Sequence, residues 1–307
     1  MNGRYDYHKL LFLFCSLVTA LSVITIVGFI FGTAAPALGH EGAGILFGST
    51  WDYSTQQYGA WSFIAATLMV TAATLVLAVP LGLATALFLS EWAPPWLDRI
   101  LTTLIELLVG IPSVVYGIFG FFVLRTYFSD VINPFLAHTF GFIPLIGEGA
   151  SSNGVGIPLA STVLAIMILP TIVTLSREAM RGVPTELREG SAALGATQWE
   201  TIWHLIIPAS FAGTITGVIM GTMRAMGETM AVVMLIGDVA TTPSSFLSVG
   251  EPLTSKILLD IGNYLIDPQA KSALFALAAI LLIMEFAFIA AIHIISDRMK
   301  KQMEGAA

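Results

Sequence analysis

Long apolar segments separated by polar breaks make up most of the chain. Segments of about 20 apolar residues are long enough to cross the roughly 30 Å hydrocarbon core of a membrane as helices. The pattern predicts six such spans, at residues 9–32, 62–89, 100–124, 157–175, 208–237 and 272–295. The predicted fold class is therefore an all-α integral membrane protein with six transmembrane helices.

The composition agrees with a membrane location. Hydrophobic residues account for 56% of the 307 residues and charged residues for 11%, whereas soluble domains carry about 25% charged residues. Because little sequence lies outside the spans, we expect a single transmembrane domain over residues 1–307, with its core at about 62–295 and a cytoplasmic loop at 177–207. Cys15 is the only cysteine and the five histidines lack a metal-binding spacing, so no disulfide or metal site is predicted.

The first span has some features of a signal peptide. Arg4 and Lys9 precede it, and Ala35 and Ala37 follow it in A-x-A spacing. Its apolar stretch is longer than the roughly 7 to 15 residues of a signal-peptide core, so an uncleaved anchor is favoured.

The basic residues predict the orientation. If the N-terminus is cytoplasmic, nine of the thirteen lysines and arginines lie on the cytoplasmic side, as the positive-inside rule requires. These nine are Arg4, Lys9, Arg99, Arg177, Arg181, Arg188, Arg298, Lys300 and Lys301. Six spans then place both termini in the cytoplasm and leave the longer loops, 33–61, 125–156 and 238–271, outside.

The loop between the fourth and fifth spans has the signals of short helices. Pro184 is typical of a helix start, and Gly195 of a left-handed C-terminal cap. Thr197 and Glu200 have capping-box spacing, and Pro208 is expected to begin the next span. Two short helices broken by a glycine form either a knob that docks on another protein or an amphipathic surface on lipid.

The spacing in this loop resembles the EAA loop of ABC importer permeases, in which EAA is followed by three residues, a glycine, nine residues and I-x-L-P. Glu189, Gly195 and Pro208 match, whereas Gly190 and Ser191 replace the usual alanines. The resemblance implies a coupling helix that sits on a dimer of ATP-binding cassette ATPases. The coupling residues it implies are Glu189, Ala192, Gly195, Thr197 and Pro208.

The chain has no nucleotide-binding loop of its own. No Gly-Lys dipeptide occurs, so there is no Walker A motif to hold phosphates. We therefore expect a partner ATPase to bind ATP and Mg²⁺, and we expect this chain to carry no cofactor and to catalyse no reaction.

The fifth span combines small and charged residues. Gly213, Gly217 and Gly221 recur at steps of four, which favours close helix packing, and Arg224 and Glu228 fall within about 80° of that ridge. Insertion of an arginine at the middle of the bilayer costs about 2.5 to 3.5 kcal/mol of free energy. Such a residue is therefore expected to have either an ion-pair partner or a function. Either Glu228 neutralises Arg224 and fixes the packing, or the guanidinium binds a tetrahedral oxyanion while Glu228 orients it.

The third span contains helix-breaking residues. Gly110 and Pro112 interrupt it, and irregular backbone at membrane depth is tolerated only inside protein or beside a cavity. Ser113 and Tyr116 are candidate donors to an anion, or else helix contacts. The predicted substrate path is Arg224, Glu228, Ser113 and Tyr116, and guanidinium geometry alone does not separate phosphate from sulfate or molybdate.

Three segments, YGAWSFI, IPSVVYG and RAMGETMAV, are similar to the permeases of bacterial phosphate importers from about residue 58 onward. The Met-Ala-Val after the Gly-Glu-Thr favours the PstC type over the sister PstA type. The resemblance implies a type I ABC importer permease fold and a subunit that forms half of an ATP-driven phosphate pathway by alternating access. It implies the cytoplasmic membrane of a bacterium or archaeon.

The partners implied by the resemblance are a PstA-like permease, the ATPase dimer, an extracytoplasmic phosphate-binding protein and membrane lipid, with no nucleic acid. An ABC permease for sulfate, molybdate or an amino acid stays open as an alternative. So does a secondary transporter that runs on an ion gradient. An intramembrane enzyme is disfavoured because the sequence offers no catalytic pair of suitable spacing.

Overall fold

The computed structural model describes residues 3–143, 146 and 153–305, and the side chains of residues 8–143, 146, 153–294 and 296–298. The predicted outer loop 125–156 therefore lies partly outside the described residues, at 144–145 and 147–152. The helices are α1 (Gly3–Glu41), α2 (Gly44–Phe47), α3 (Trp61–Glu91), α4 (Pro95–Val109), α5 (Ser113–Phe119), α6 (Arg125–Tyr127), α7 (Asn133–Phe140), α8 (Ile157–Arg181), α9 (Thr185–Ala193), α10 (Gln198–Thr201), α11 (Ile207–Gly227), α12 (Met230–Leu235), α13 (Leu253–Tyr264) and α14 (Pro268–Gly305). Three π-helical turns connect some of them, Gly120–Leu124, Phe128–Ile132 and Ile202–Ile206, and the strands are β1 (Trp51–Asp52) and β2 (Gln57–Tyr58).

Within the described residues, six helices are long and apolar enough to cross a membrane, which confirms the predicted six-helix architecture. They are His8–Glu41, Trp61–Glu91, Ser113–Phe140, Ile157–Arg181, Gln198–Gly227 and Pro268–Arg298. Their bounds agree with the predicted ones for the first, second, fourth and sixth spans to within about ten residues. The third and fifth spans differ.

The predicted third span, 100–124, is wrong. α4 ends at Val109, residues 110–112 are irregular, and the long helix begins at Ser113 and runs to Phe140. Pro112 causes the break because it has no N–H to donate and disfavours helical backbone at the residue before it. α4 is a separate helix without a buried residue, and the first part of the predicted outer loop is helical.

The fifth span also differs from its prediction, 208–237. The helix begins at Gln198, so Pro208 lies inside it rather than at its start. The π turn Ile202–Ile206 accommodates the proline, because Ile207 N–H bonds to the carbonyl of Ile202 and Pro208 then enters the first turn of α11, where no N–H is needed. The helix ends at Gly227, and α12 starts only at Met230.

The chain divides into two compact units, and each is described by itself. One comprises Met1–Trp61 and Ile257–Leu282, the other Ser62–Lys256 and Ile283–Ala307. The single-domain expectation stays a prediction. In the first unit, β1 and β2 pair antiparallel and the Tyr53 ring stacks on Tyr264 at 3.7 Å.

The second unit is built around α8, which has more buried residues than any other described helix of that unit. A Cβ on Gly213 would lie 2.4 Å from Ala179 Cβ, and one on Gly221 would lie 2.9 Å from Ile172 Cγ1. Contacts this close leave no room for a larger residue. The predicted glycine ridge is confirmed as the surface by which α11 packs on α8.

Candidate functional site

The depth of Arg224 follows from the register between α11 and α8. Gly213 faces Ala179 and Gly221 faces Ile172, with Ile168 next, so the two helices run antiparallel. Arg224, one turn further, is level with about residue 168. That position lies 11 residues, or about 16 Å of helix, from the start of α8. Since half of the hydrocarbon core is about 15 Å thick, Arg224 lies near the middle of the crossing.

The fifth span breaks at this depth. Glu228 has φ −70° and ψ 127°, which ends α11, and the chain resumes as α12 at Met230. The Ala231 N–H donates to Glu228 Oε1 at 3.3 Å, and the Thr254 hydroxyl donates to the Glu228 carbonyl at 3.2 Å. Side chains therefore satisfy part of the backbone that the break leaves unpaired, as a discontinuous helix inside a membrane requires.

Of the two alternatives for Arg224, the ion pair with Glu228 is not present among the described residues. Glu228 is outside the helix, so the two side chains lose the i, i+4 geometry that would bring them together. No hydrogen bond or ion pair joins the Arg224 side chain to any of the described residues. The partly buried guanidinium lies in the last turn of α11, where the helix dipole favours a cation. Its donors are therefore not used by the part of the chain that the structure describes.

The two third-span candidates have different surroundings. Tyr116 is buried, and its hydroxyl donates to the Leu108 carbonyl at 2.9 Å across the break at 110–112. It therefore has no proton to offer an anion in this conformation, although it lies within electrostatic range of Arg224. Ser113 is the first residue of α5, and its hydroxyl has no partner among the residues that the structure describes.

Close packing brings the breaks of the third and fifth spans together. A Cβ on Gly117 would lie 2.7 Å from Met234 Sδ and 3.3 Å from Ala231 Cα, so α5 and α12 are in direct contact. Glu285 is also at this place, with Oε1 3.5 Å from the position of a Cβ on Gly227. No local signal in the last span indicates that Glu285 faces the break.

The loop after α8 has the local structure that its sequence predicts. α9 ends before Gly195, whose φ of +85° is the expected left-handed cap. The Thr197 Oγ1 accepts a hydrogen bond from Glu200 N–H, and Glu200 Oε2 accepts one from Thr197 N–H at 2.8 Å. The predicted capping box is confirmed.

One side of this loop is anchored and the other is exposed. Arg188 Nη1 pairs with Glu91 Oε2 at the end of α3 at 2.7 Å, and Arg188 Nη2 donates to the Met180 carbonyl at 2.7 Å. The coupling candidates Glu189, Ala192, Gly195 and Thr197 are exposed. Leu194, beside them, is 90% exposed. The loop thus presents a surface for a partner while it is fixed to the spans behind it.

α4 is held on α8 by a second cluster of charges. Arg177 donates to both Asp98 oxygens, at 2.7 and 2.9 Å, and Arg181 contacts Asp98 Oδ2 at 3.0 Å. Burial acts to raise the pKa of Asp98, but hydrogen bonds and charge from Arg181 and Arg177 outweigh it and hold the pKa below its ordinary value. Arg177 and Arg181, which contribute to the positive-inside pattern, therefore also hold α4 on α8.

The comparison with known proteins agrees with this geometry. Residues 78–301 match the family described as "Binding-protein-dependent transport system inner membrane component". The chain is 37% identical over 268 residues to the phosphate transport system permease protein PstC of Xylella fastidiosa strain 9a5c, which covers 87% of this chain and 82% of the relative. It is 40% identical over 247 residues to the probable ABC transporter permease protein YqgH of Bacillus subtilis strain 168, with 80% and 74% covered.

Solved structures show the same fold at low identity. A bacterial alginate ABC transporter in complex with an alginate-bound periplasmic protein has a TM-score of 0.55 at 15% identity, and 97% of each chain is covered. The MetNI methionine ABC transporter in an inward-facing conformation has a TM-score of 0.53 at 16% identity, with 82% and 99% covered. The predicted type I ABC importer permease fold is confirmed. The chain belongs to the family of inner membrane components of binding-protein-dependent transport systems, and within it to the PstC-type permeases.

Proposed function

We propose that this chain is a permease subunit of an ATP-driven phosphate importer and forms half of the translocation pathway. The curated relatives that are named phosphate permeases suggest the solute. The observation that carries the proposal is the unpaired guanidinium of Arg224 at a break in the middle of the fifth span. A cation without a partner at this depth has an unfavourable free energy. Binding of an anion offsets that free energy.

The path residues then have distinct roles. Arg224 offers a planar fork of donors that matches the oxygens of phosphate, and Ser113 offers a hydroxyl. Tyr116 positions the third-span break through Leu108 rather than touching the anion. Glu228 accepts a hydrogen bond from the N–H of Ala231 at the start of α12 and so stabilises the break. Arg224 then binds the anion.

The exposed loop couples the translocation pathway to the ATPase. Its surface, with Glu189, Ala192, Gly195 and Leu194, docks on an ATP-binding cassette ATPase dimer that binds the ATP and Mg²⁺. The Arg188–Glu91 pair fixes the loop to α3, so a movement of the ATPase is transmitted to the membrane spans. This movement switches the pathway between its outward-open and inward-open states. This chain itself carries no cofactor.

The remaining partners complete the importer. A PstA-like permease supplies the other half of the path, and an extracytoplasmic phosphate-binding protein delivers the solute. The positive-inside distribution supports cytoplasmic termini in a bacterial or archaeal membrane, since Arg177, Arg181 and Arg188 all lie at the same end of α8. Lipid surrounds the apolar faces.

Uptake of radiolabelled phosphate by the purified complex in proteoliposomes tests the proposal. We expect uptake that requires ATP and the binding protein and that unlabelled phosphate abolishes, while sulfate and molybdate at equal concentration do not. Uptake without nucleotide would instead favour a secondary transporter. Uptake of sulfate in place of phosphate would favour a permease for another oxyanion.

A further inference from the structure

Arg125 lies between two π-helical turns of the third span, Gly120–Leu124 and Phe128–Ile132. A π turn holds about one residue more than an α turn, so it rotates the residues after it by about 100° relative to an uninterrupted helix. Such turns occur often at functional sites. Here the first turn changes the face on which the Arg125 side chain lies.

The depth of Arg125 follows from the segment that packs on it. Its Nε donates to the Asn153 carbonyl at 2.6 Å. Gly154 has φ +76°, and a Cβ there would lie 2.2 Å from the Arg125 carbonyl oxygen, so only glycine permits this approach. α8 begins three residues later, at Ile157. Arg125 is therefore level with the start of α8, at the outer end in the proposed orientation and about 16 Å of α8 above Arg224.

The guanidinium of Arg125 keeps unused donors. It lies over the Phe121 ring, 4.8 Å from the centroid, and in the described part of the chain only its Nε is hydrogen bonded. The Thr126 hydroxyl beside it also has no partner there. Ser129 has no proton to give, because its hydroxyl donates to Asp130 Oδ1 at 2.6 Å. The donors that remain on Arg125 and Thr126 are the two Nη groups and one hydroxyl.

These donors open into a cavity of about 380 Å³ whose wall is formed by Phe121, Phe122, Arg125, Thr126, Ser129 and Asn153. The volume accommodates a tetrahedral oxyanion with several waters, each of which takes about 30 Å³. We propose that this cavity binds a phosphate group, held by the Arg125 fork and the Thr126 hydroxyl. A charge-assisted, bidentate contact of this kind favours phosphate geometry. The group belongs either to inorganic phosphate or to the headgroup of a membrane lipid.

A reporter thiol tests the proposal. Cys15 is the only cysteine of the sequence, so the double variant Cys15→Ser, Phe122→Cys carries one thiol in the cavity wall, at a side chain that is 73% exposed. The assembled complex is placed in nanodiscs of galactolipid, which contains no phosphate, and is labelled with an uncharged maleimide. Inorganic phosphate is compared with chloride at equal ionic strength.

We expect phosphate to slow the labelling and chloride not to. Arg125→Gln should weaken this protection about tenfold, and Arg125→Lys less, since it keeps the charge and loses only the fork. Lys271→Gln, which removes a positive charge from a residue outside the cavity wall, should leave it unchanged. If the source is a headgroup, phosphatidylglycerol nanodiscs should slow the labelling without free phosphate.

Labelling rates that are equal with phosphate, with chloride and with phosphatidylglycerol would overturn the proposal. Protection that survives Arg125→Gln in a complex that remains assembled would also overturn it. The assay measures binding to this cavity and not uptake. A negative labelling result therefore does not contradict the proposed transport function, and a negative uptake result does not contradict binding at this cavity.

Discussion

The carboxylate of Glu228 and the backbone N–H of Ala231 form a hydrogen bond of 3.3 Å across the break in the fifth span. A residue that the sequence places four positions from Arg224 on a helix therefore serves the start of the next helix instead. This leaves Arg224 as a cation without an ion pair among the described residues. Within the described residues, the break therefore holds a guanidinium without an acidic partner rather than a neutral pair.

Substitution of Glu228 should separate its hydrogen bond from its charge. Glu228→Gln keeps an oxygen that accepts from Ala231, so the thermal stability of the complex should be unchanged. Glu228→Ala loses the acceptor and should cost about 1 kcal/mol, as for a lost helix N-cap. Thermal unfolding of the purified complex measures both. Equal loss in the two variants would mean that the charge, not the hydrogen bond, holds the break.

The contact between α11 and α8 should not tolerate added volume. Gly213→Ala places a methyl group against the rigid Cβ of Ala179 and should destabilise the unit by about 1 to 3 kcal/mol. Gly28→Ala is the matched control, because no atom lies within 4 Å of a Cβ there. Unfolding midpoints in a denaturing detergent compare the two. An unchanged unfolding midpoint for Gly213→Ala would show that α11 and α8 are further apart than this contact indicates.

The Arg188–Glu91 pair should matter for stability. The Glu91 side chain is only 6% exposed, so Arg188→Met leaves a buried carboxylate without its partner and should cost about 3 kcal/mol. Adding Glu91→Gln should restore part of that loss. Arg99→Gln, at an exposed arginine, is the control. A double variant as unstable as the sum of the single ones would argue against a direct interaction, because independent sites add.

Asp238 should give the outer loop a pH dependence. Burial raises the pKa of its carboxyl group to about 6, although the nearby Ser255 hydroxyl acts in the opposite direction. The folded state then holds a proton that the unfolded state has already released, so stability falls as the pH rises from about 4 to about 6 and stays low above that. Asp238→Asn keeps a residue that tolerates the local φ of +47° and removes the titration.

The pH dependence is checked by the unfolding temperature of both proteins at pH 5 and pH 7.5. The parent should be more stable at pH 5 than at pH 7.5, and Asp238→Asn should lose most of that difference. An equal difference in both would assign the pH dependence to another group.

Local sequence patterns were sufficient to predict part of the fold and of the cytoplasmic loop. The number of membrane spans, the Gly213 ridge, the Gly195 cap and the Thr197–Glu200 box each follow from a local sequence pattern, and all four are confirmed. Hydropathy could not locate the ends of the third span, because α4 is itself apolar on one face and only the break around Pro112 separates it from the membrane helix.

Other features depend on contacts between distant residues. Arg188 and Glu91 are 97 positions apart, as the hydrogen bond between them records, and nothing local pairs them. The break after Gly227 has only a weak local signal, a glycine followed by Glu-Thr, while Thr254 from another helix completes it. The free state of Arg224 follows from that break. A helical projection that assumed an unbroken span could not decide between a neutral pair and an anion-binding guanidinium.

The most direct test of the central claim is phosphate uptake by the reconstituted complex with Arg224→Gln. The account predicts that uptake is abolished while assembly and ATP hydrolysis persist, and that Arg224→Lys, which keeps the charge without the fork, retains a small part of it. Arg99→Gln should transport normally. Normal uptake by Arg224→Gln would contradict the role of this guanidinium in the anion path.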